Sequence, residues 1–134
     1  MLRTTTLALT AFILAAGAAP ALACSGPDAA ITGVAVKMHA TSGMVTKYTI
    51  VGTVSNLGTQ AQAGNILQSV DIYLGDQKLD TRSIPPLGPG QSATFSYVWP
   101  RAIDAGNGST VVNFKLDGQG PDCNPENDHY SITF

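Results

Sequence analysis

The densest group of side chains that could bind a cation lies in residues 117–128. Oxygen-bearing side chains occupy alternate positions there: Asp122, Asn124, Glu126 and Asp128. Calcium takes several oxygen ligands from a flexible loop. The segment lacks the Asp-x-Asp-x-Asp-Gly order of a dedicated calcium loop and contains Pro125. We therefore expect a solvated acidic connection, and calcium binding is the alternative.

A second group with metal-binding chemistry consists of Met38, His39 and Met44. Thioether sulfur and imidazole nitrogen are ligands that copper accepts. Met38, however, fits the inward face of a predicted strand, where methionine commonly fills gaps in a core. We expect no metal site here, and copper handling in the periplasm stays as an alternative function.

Residues suited to catalysis are sparse. The chain has two histidines, His39 and His129, and the second is expected to face solvent. No serine lies in the Gly-x-Ser-x-Gly pattern of a nucleophile elbow. Asp122 and Glu126 are better explained as solvated carboxylates than as an acid–base pair. We predict a protein that is not an enzyme, with no catalytic residues and no cofactor; a small hydrolase is the least favoured alternative.

Residues 1–23 have the composition of a cleavable secretion signal. Arg3 provides the charged start, an apolar run covers residues 7–16, and an A-x-A site occupies residues 21–23. A membrane-spanning helix needs about 20 apolar residues, and this run is shorter. We predict an exported protein, periplasmic or secreted, with a mature chain that starts at Cys24 and contains no transmembrane segment.

The two cysteines, Cys24 and Cys123, enclose nearly the whole mature chain. An even cysteine count in a small exported protein favours a disulfide. We therefore expect a Cys24–Cys123 disulfide. The alternative is a lipid anchor on Cys24, because bacterial lipoprotein signals also end directly before a cysteine. The leucine that usually stands three residues before that cysteine is replaced here by Ala21.

The charge of the chain excludes one class of partner. There are 7 Lys+Arg and 9 Asp+Glu, a formal net charge of −2, and removal of Arg3 with the signal leaves about −3. A weakly acidic domain has no electrostatic reason to bind nucleic acid or anionic lipid. We expect a partner among the proteins or glycans of the cell envelope.

Seven segments alternate apolar and polar residues with the period of a β-strand. They cover residues 31–39, 45–55, 68–74, 77–84, 91–99, 109–117 and 129–134. Gly75-Asp76 predicts a two-residue hairpin turn with positive φ at the glycine, and the Pro- and Gly-rich residues 85–90 predict a connection.

The inward faces of these strands predict the core. It contains Ile50, Ile72, Phe95, Trp99, Val112, Phe114 and Ile132, and Val36, Met38 and Tyr130 lie on the same faces. Each opposite face is polar, as in antiparallel sheets with one solvated side. Two such sheets must cover each other's apolar faces. We predict one all-β domain over residues 24–134, an immunoglobulin-like antiparallel β-sandwich of about seven strands.

Three short motifs resemble the bacterial cell-adhesion-related domain (CARDB) family. Residues 54–58 resemble its V-x-N-x-G, residues 87–92 its L-x-P-G-Q-S, and residues 124–128 its acidic E-x-N-E-x-N-N ending, with Asp128 in place of the final Asn. The resemblance spans residues 34–134. It implies an Ig-like module of exported and surface proteins, with a role in adhesion or assembly.

The motifs are composed mainly of turn residues. Asn56 can hydrogen-bond its own backbone, Gly58 can take positive φ, and Asn127 is expected to brace the turn into the last strand. Loops on a rigid sandwich carry recognition, so residues 57–67 and 103–108 are the expected contact segments. We predict a non-catalytic interaction module that binds another envelope or extracellular component through loops or a sheet edge.

Overall fold

A computed structural model describes residues 25–102, 109–118 and 120–134. In chain order its elements are β1 (Ala29–Ser42), β2 (Val45–Asn56), β3 (Gln68–Leu74), β4 (Gln77–Ile84), β5 (Ser92–Ala102), β6 (Val111–Gly118), a 3₁₀ turn (Pro125–Asn127) and β7 (His129–Thr133). Within those ranges no helix has the length and apolar character needed to span a bilayer. The predicted signal at residues 1–23, Cys24 and the predicted contact loop 103–108 lie outside the described residues.

The strands form two antiparallel sheets. The three-stranded sheet has the order β1-β2-β5, and the four-stranded sheet has the order β4-β3-β6-β7. Every neighbouring pair in both sheets is antiparallel. The predicted β-sandwich of about seven strands is confirmed, because the two sheets together contain seven strands, each of which overlaps a predicted one.

The core lies between the two inner faces. Six of the predicted core residues are buried: Ile50, Ile72, Phe95, Trp99, Val112 and Phe114. The Phe95 and Phe114 rings approach from opposite sheets, with their centroids 5.8 Å apart. Ile132 is only half-buried, because β7 is an edge strand. The alternation of side chains therefore located the interface between the sheets.

A β-bulge in β1 overturns one predicted face. Val36 pairs with Ile50 and Met38 pairs with Thr49, which leaves Lys37 as an extra residue in β1. An inserted residue moves every later side chain to the opposite face of the strand. Met38 is therefore 64% exposed, and its prediction as an inward residue is wrong.

Edge positions and pairing explain three further departures from the predicted faces. Val36 and Tyr130 lie opposite the core residues Ile50 and Phe114, yet both stay exposed, because β1 and β7 are edge strands. Asp71 belongs to the polar face of β3, which was predicted to be solvated, and is nevertheless buried. Its carboxylate lies 3.3 Å from the ammonium of Lys78 and accepts a 2.8 Å hydrogen bond from the hydroxyl of Thr81.

Two glycine positions test the predicted turn chemistry. Gly75 has a φ of +59°, which confirms the turn between β3 and β4. Gly58 does not have positive φ, so that expectation is wrong. A Cβ atom at Gly58 would instead overlap the backbone carbonyl oxygen of Gly26. Glycine at this position lets two backbone segments approach closely.

Candidate functional site

Asn56 is a buried hydrogen-bonding centre at one end of the sandwich. Its Oδ1 accepts from the backbone N–H groups of Asp28 (3.0 Å) and Gly58 (2.9 Å). Its Nδ2 donates to the carbonyl oxygens of Gln60 (2.8 Å) and Leu87 (3.0 Å). All four hydrogen-bonding positions of the side chain are used, which is what burial of an amide requires.

The backbone of Asn56 joins two of the sequence motifs. Its N–H donates to the carbonyl oxygen of Gln91, and its own carbonyl oxygen accepts from the N–H of Gly90, both at 2.9 Å. With the bond from its side chain to Leu87, residues 54–58 and 87–92 form one structural unit. The sequence predicted only that Asn56 bonds its own local backbone, as it does at the N–H of Gly58; Asp28 and Leu87 are distant in the chain and were not predicted.

Asp28 connects this unit to the third motif. Its backbone N–H donates to Asn56 Oδ1, while its two carboxylate oxygens accept from Nδ2 of Asn127 at 3.0 and 3.1 Å. Asn127 therefore ties the last connection to the residue that precedes β1. Asp28 was not predicted from the sequence, because nothing in its local sequence indicates its long-range contacts.

Three carboxyl groups meet at this place, and we call Asp28, Asp122, Asp128 and Asn127 the junction cluster. Burial, a hydrogen bond with Asp122 and the charges of Asp122 and Asp28 raise the pKa of Asp128 to about 8. Burial also raises the pKa of Asp28, opposed by the Asn127 hydrogen bond and reinforced by Asp122. At neutral pH Asp128 therefore holds a proton that an isolated carboxylate would release.

Two oxygen atoms of the junction cluster lack partners. Oδ1 of Asn127 and Oδ1 of Asp128 are buried and accept no hydrogen bond. A buried oxygen without a donor is costly unless a water or an ion reaches it. Within the described ranges, however, no group of three or more His, Cys, Asp or Glu side chains is arranged to hold a metal ion.

The alternating polar residues of 117–128 are only partly brought together. Asp122 and Asp128 join the junction cluster, but Glu126 is exposed. Oδ1 of Asn124 accepts from the N–H of Glu126 at 3.3 Å and caps the 3₁₀ turn. The described part of the predicted solvated connection contains a short capped turn and a half-buried acidic side formed by Asp122 and Asp128.

The Met38, His39 and Met44 group is not assembled as a site. Met38 and His39 are consecutive in β1, so their side chains point to opposite faces of the sheet. The His39 ring lies beside Tyr48, with their centroids 6.2 Å apart. Met44, in the turn before β2, is exposed. His129 is exposed on β7, as expected.

Cys123 lies beside the beginning of the described chain. Its N–H donates to the carbonyl oxygen of Pro27 at 3.4 Å, and Pro27 is three positions after Cys24. Cys24 is outside the described residues, so the Cys24–Cys123 disulfide stays a prediction.

A groove crosses the outer side of the four-stranded sheet near the end of β4. It has a volume of about 780 Å³ and is lined by residues 66–69, 83–86 and 117–118 together with Thr81. Gln62 and Gln68 exchange two amide hydrogen bonds of 2.8 Å beside it. Gln68 also donates to the Pro85 carbonyl oxygen at 2.9 Å. The predicted contact segment 57–67 is thus anchored to the sheet.

The CARDB family model matches residues 27–121. The chain belongs to the CARDB family. This match includes the motifs at 54–58 and 87–92 and ends before the third motif at 124–128. It confirms the predicted family and identifies the chain as an Ig-like module of adhesion type, in a family of non-catalytic modules.

Solved CARDB domains share the fold. A crystal structure of the CARDB domain of the PF1109 protein from Pyrococcus furiosus, in complex with di-metal ions, superposes with a TM-score of 0.62 at 17% identity, covering 84% of this chain and 90% of that one. A solution NMR structure of the same domain gives 0.59 at 16% identity, covering 81% and 94%. At these identities the likeness shows the fold alone. No curated protein sequence matches the chain.

Proposed function

We propose that this CARDB domain is an exported, non-catalytic interaction module that binds a protein of the cell envelope or the extracellular space. The observation that carries the proposal is the family match over residues 27–121 on a sandwich whose loops are tied to a rigid core. Asn56 and the Gln62–Gln68 pair hold the connection 57–67 in place. A fixed loop loses little conformational entropy when it binds a partner.

Photo-crosslinking in the producing cell tests this proposal. The full chain carries a photoreactive amino acid at one exposed position of the connection, Leu57, Gln60 or Ala63, with exposed Thr94 in β5 as the matched control. We expect one discrete protein adduct from the connection and none from Thr94. Absence of an adduct at every exposed position would contradict a protein partner, and turnover of ester substrates abolished by His39→Ala would favour a hydrolase.

Export and the disulfide belong to the same proposal. The A-x-A site at residues 21–23 supports cleavage before Cys24, and the Cys123–Pro27 hydrogen bond supports a bridge between the two ends of the domain. Intact-mass analysis of protein isolated from the host should show an unmodified Cys24 at the N-terminus and two hydrogens fewer than the dithiol form. A diacylglyceryl mass increment would show lipidation instead.

The second candidate function is the binding of a divalent cation at the junction cluster. The partnerless oxygens of Asn127 and Asp128 favour it, and the similar PF1109 domain is described with di-metal ions. The cluster carries the carboxylate oxygens that calcium prefers, but Asp28, Asp122 and Asp128 would have to rearrange around the ion, since within the described ranges no three such side chains are arranged to hold a metal. Binding would displace the proton that Asp128 holds at neutral pH.

Calcium titration of the full chain decides between a cation and protons. A cation at 100 times its dissociation constant adds about 2.7 kcal/mol to the free energy of unfolding, so calcium should raise the melting temperature above that in EDTA. Asp122→Asn should abolish this rise and Glu126→Gln, at an exposed position, should keep it. Equal melting temperatures in calcium and EDTA would support the sequence prediction of no metal.

A further inference from the structure

The groove beside the end of β4 has the size and rigidity of a preformed binding site. Ligand sites commonly have volumes of about 300–1,000 Å³, and this groove has about 780 Å³. Its floor is held by buried Gln68, which bonds to Gln62 and to the Pro85 carbonyl. Leu87 N–H donates to Gln62 Oε1 at 2.9 Å and extends the same network.

The two sides of the groove differ in chemistry. Strand order places β4 and β6 on opposite sides of β3, so Pro85 and Pro86 lie on one side and Asp117 on the other. Leu67, at the end of the groove, is 71% exposed. One side therefore presents apolar surface that water would leave on binding, and the other presents a carboxylate.

Three polar side chains of the groove are available to a ligand. The side chains of Ser69, Ser83 and Asp117 make no hydrogen bond or ion pair with any described residue. Asp117 only exerts a longer-range attraction on Lys78, which pairs with Asp71. No basic or aromatic side chain lines the groove within the described ranges.

We propose that this groove binds an extended peptide segment in which a lysine or arginine adjoins an aliphatic residue. Neighbouring side chains of an extended peptide point in opposite directions, which suits a groove with Asp117 on one side and the two prolines on the other. The unpaired carboxylate favours a cation, and the absence of aromatic rings disfavours a sugar, which stacks on them. The inference rests on the proposed interaction function and names the class of its partner.

An NMR titration with a defined probe tests the groove. The probe is a blocked pentapeptide in which leucine and lysine alternate, added to the ¹⁵N-labelled full chain. We expect the largest amide shifts at Ser69, Ser83 and Gly118. Asp117→Asn should weaken binding about fivefold, the upper range for an exposed ion pair. Leu67→Ser should weaken it about tenfold through lost apolar contact.

Matched controls make the outcome decisive. Leu57→Ser, at a half-exposed leucine in the same connection, and Asp76→Asn, in the exposed β3–β4 turn, should leave the affinity unchanged. Equal binding of the peptide with glutamate in place of lysine would overturn the proposal. A second titration uses maltohexaose as a sugar probe, and amide shifts caused by this sugar but not by the peptide would overturn the proposal as well. If Leu67→Ser still forms the crosslinked adduct described above, the interaction function stands and the groove is not its site.

Discussion

At the scale of single residues, the Asn56 side chain makes four hydrogen bonds in the interior of the protein. It is fully buried, and it links the two motifs within the family match to Asp28 at the start of β1. The residues that resemble the family are therefore explained by their structural contacts. They hold the segments that enter and leave the three-stranded sheet.

Replacement of Asn56 by aspartate should strongly destabilise the fold. The side chain keeps its shape but loses both Nδ2 donors, so the carbonyl oxygens of Gln60 and Leu87 lose their donor and a charge is buried. Each unsatisfied buried group costs about 1–3 kcal/mol, so we expect a loss of about 3 kcal/mol or more in urea unfolding. Asn65→Asp, at an exposed position of the same connection, should cost little. Similar losses in the two variants would contradict the assigned hydrogen bonds.

The junction cluster predicts a pH dependence of stability. The pKa of Asp128 is raised from 3.8 to about 8 in the folded chain, so the folded state binds a proton that the unfolded state has released. Its stabilising contribution is complete below pH 4 and is lost progressively as pH rises to about 8. The pKa of Asp28 is also raised, so its contribution to the stability of the folded chain likewise decreases as pH rises.

Asp128→Asn should flatten this dependence. An amide cannot ionise, so the variant should lose less stability than the natural chain between pH 5 and pH 8 when urea midpoints are compared. Asp76→Asn, in an exposed turn, should keep the natural slope. Parallel pH profiles for the natural chain and Asp128→Asn would mean that Asp128 does not hold the proton.

At the scale of elements, alternation predicted the strands because each sheet has one buried face. The predicted bounds of β3 and β4 agree with the structure, whereas the first strand was predicted over residues 31–39 and β1 is longer at both ends. The bulge at Lys37 was not predictable, because an inserted residue becomes visible only when β1 is paired with β2. Asp28 was missed for the same kind of reason: it joins Asp122 and Asp128 only through the folded chain.

The pairing of β2 with β5 leaves no space for a side chain at Gly52. It lies directly opposite Phe95, and a Cβ atom at Gly52 would overlap the Phe95 ring in the core. Overpacking of a core typically costs about 1–3 kcal/mol, so Gly52→Ala should lower the midpoint of urea unfolding. Gly33→Ala in β1, where a Cβ atom meets nothing within 4 Å, is the control and should be neutral or stabilising. A neutral Gly52→Ala would show that the ring lies elsewhere.

At the scale of the whole molecule, the described edge strands carry features that oppose pairing with another chain. β1 has two register shifts and Lys37 in one of them, and β5 contains Pro100. β4 carries Lys78 and Arg82, and Arg82 Nε donates to the Ser96 carbonyl of β5 at 2.8 Å. β7 has five residues. Bulges, prolines, charges and short length are the usual protections of an edge, which favours loops and the groove over a sheet edge for partner binding.

The predicted Cys24–Cys123 disulfide would act on the molecule as a whole, because it would join the beginning of the domain to its last connection. A loop of about 100 residues gains about 4.7 kcal/mol in the chain-entropy model, and measured values are typically about 2–4 kcal/mol. The double variant Cys24→Ser, Cys123→Ser should therefore unfold at lower urea than the oxidised natural chain by that amount. Reduction should bring the natural chain to the stability of the variant, and the variant should not respond to reductant.

Because Asn127 and the Cys123–Pro27 bond hold the same two segments together, both proteins should keep the sandwich fold. Equal unfolding midpoints with and without reductant, in protein isolated from the exporting host, would show that the two cysteines are not bridged.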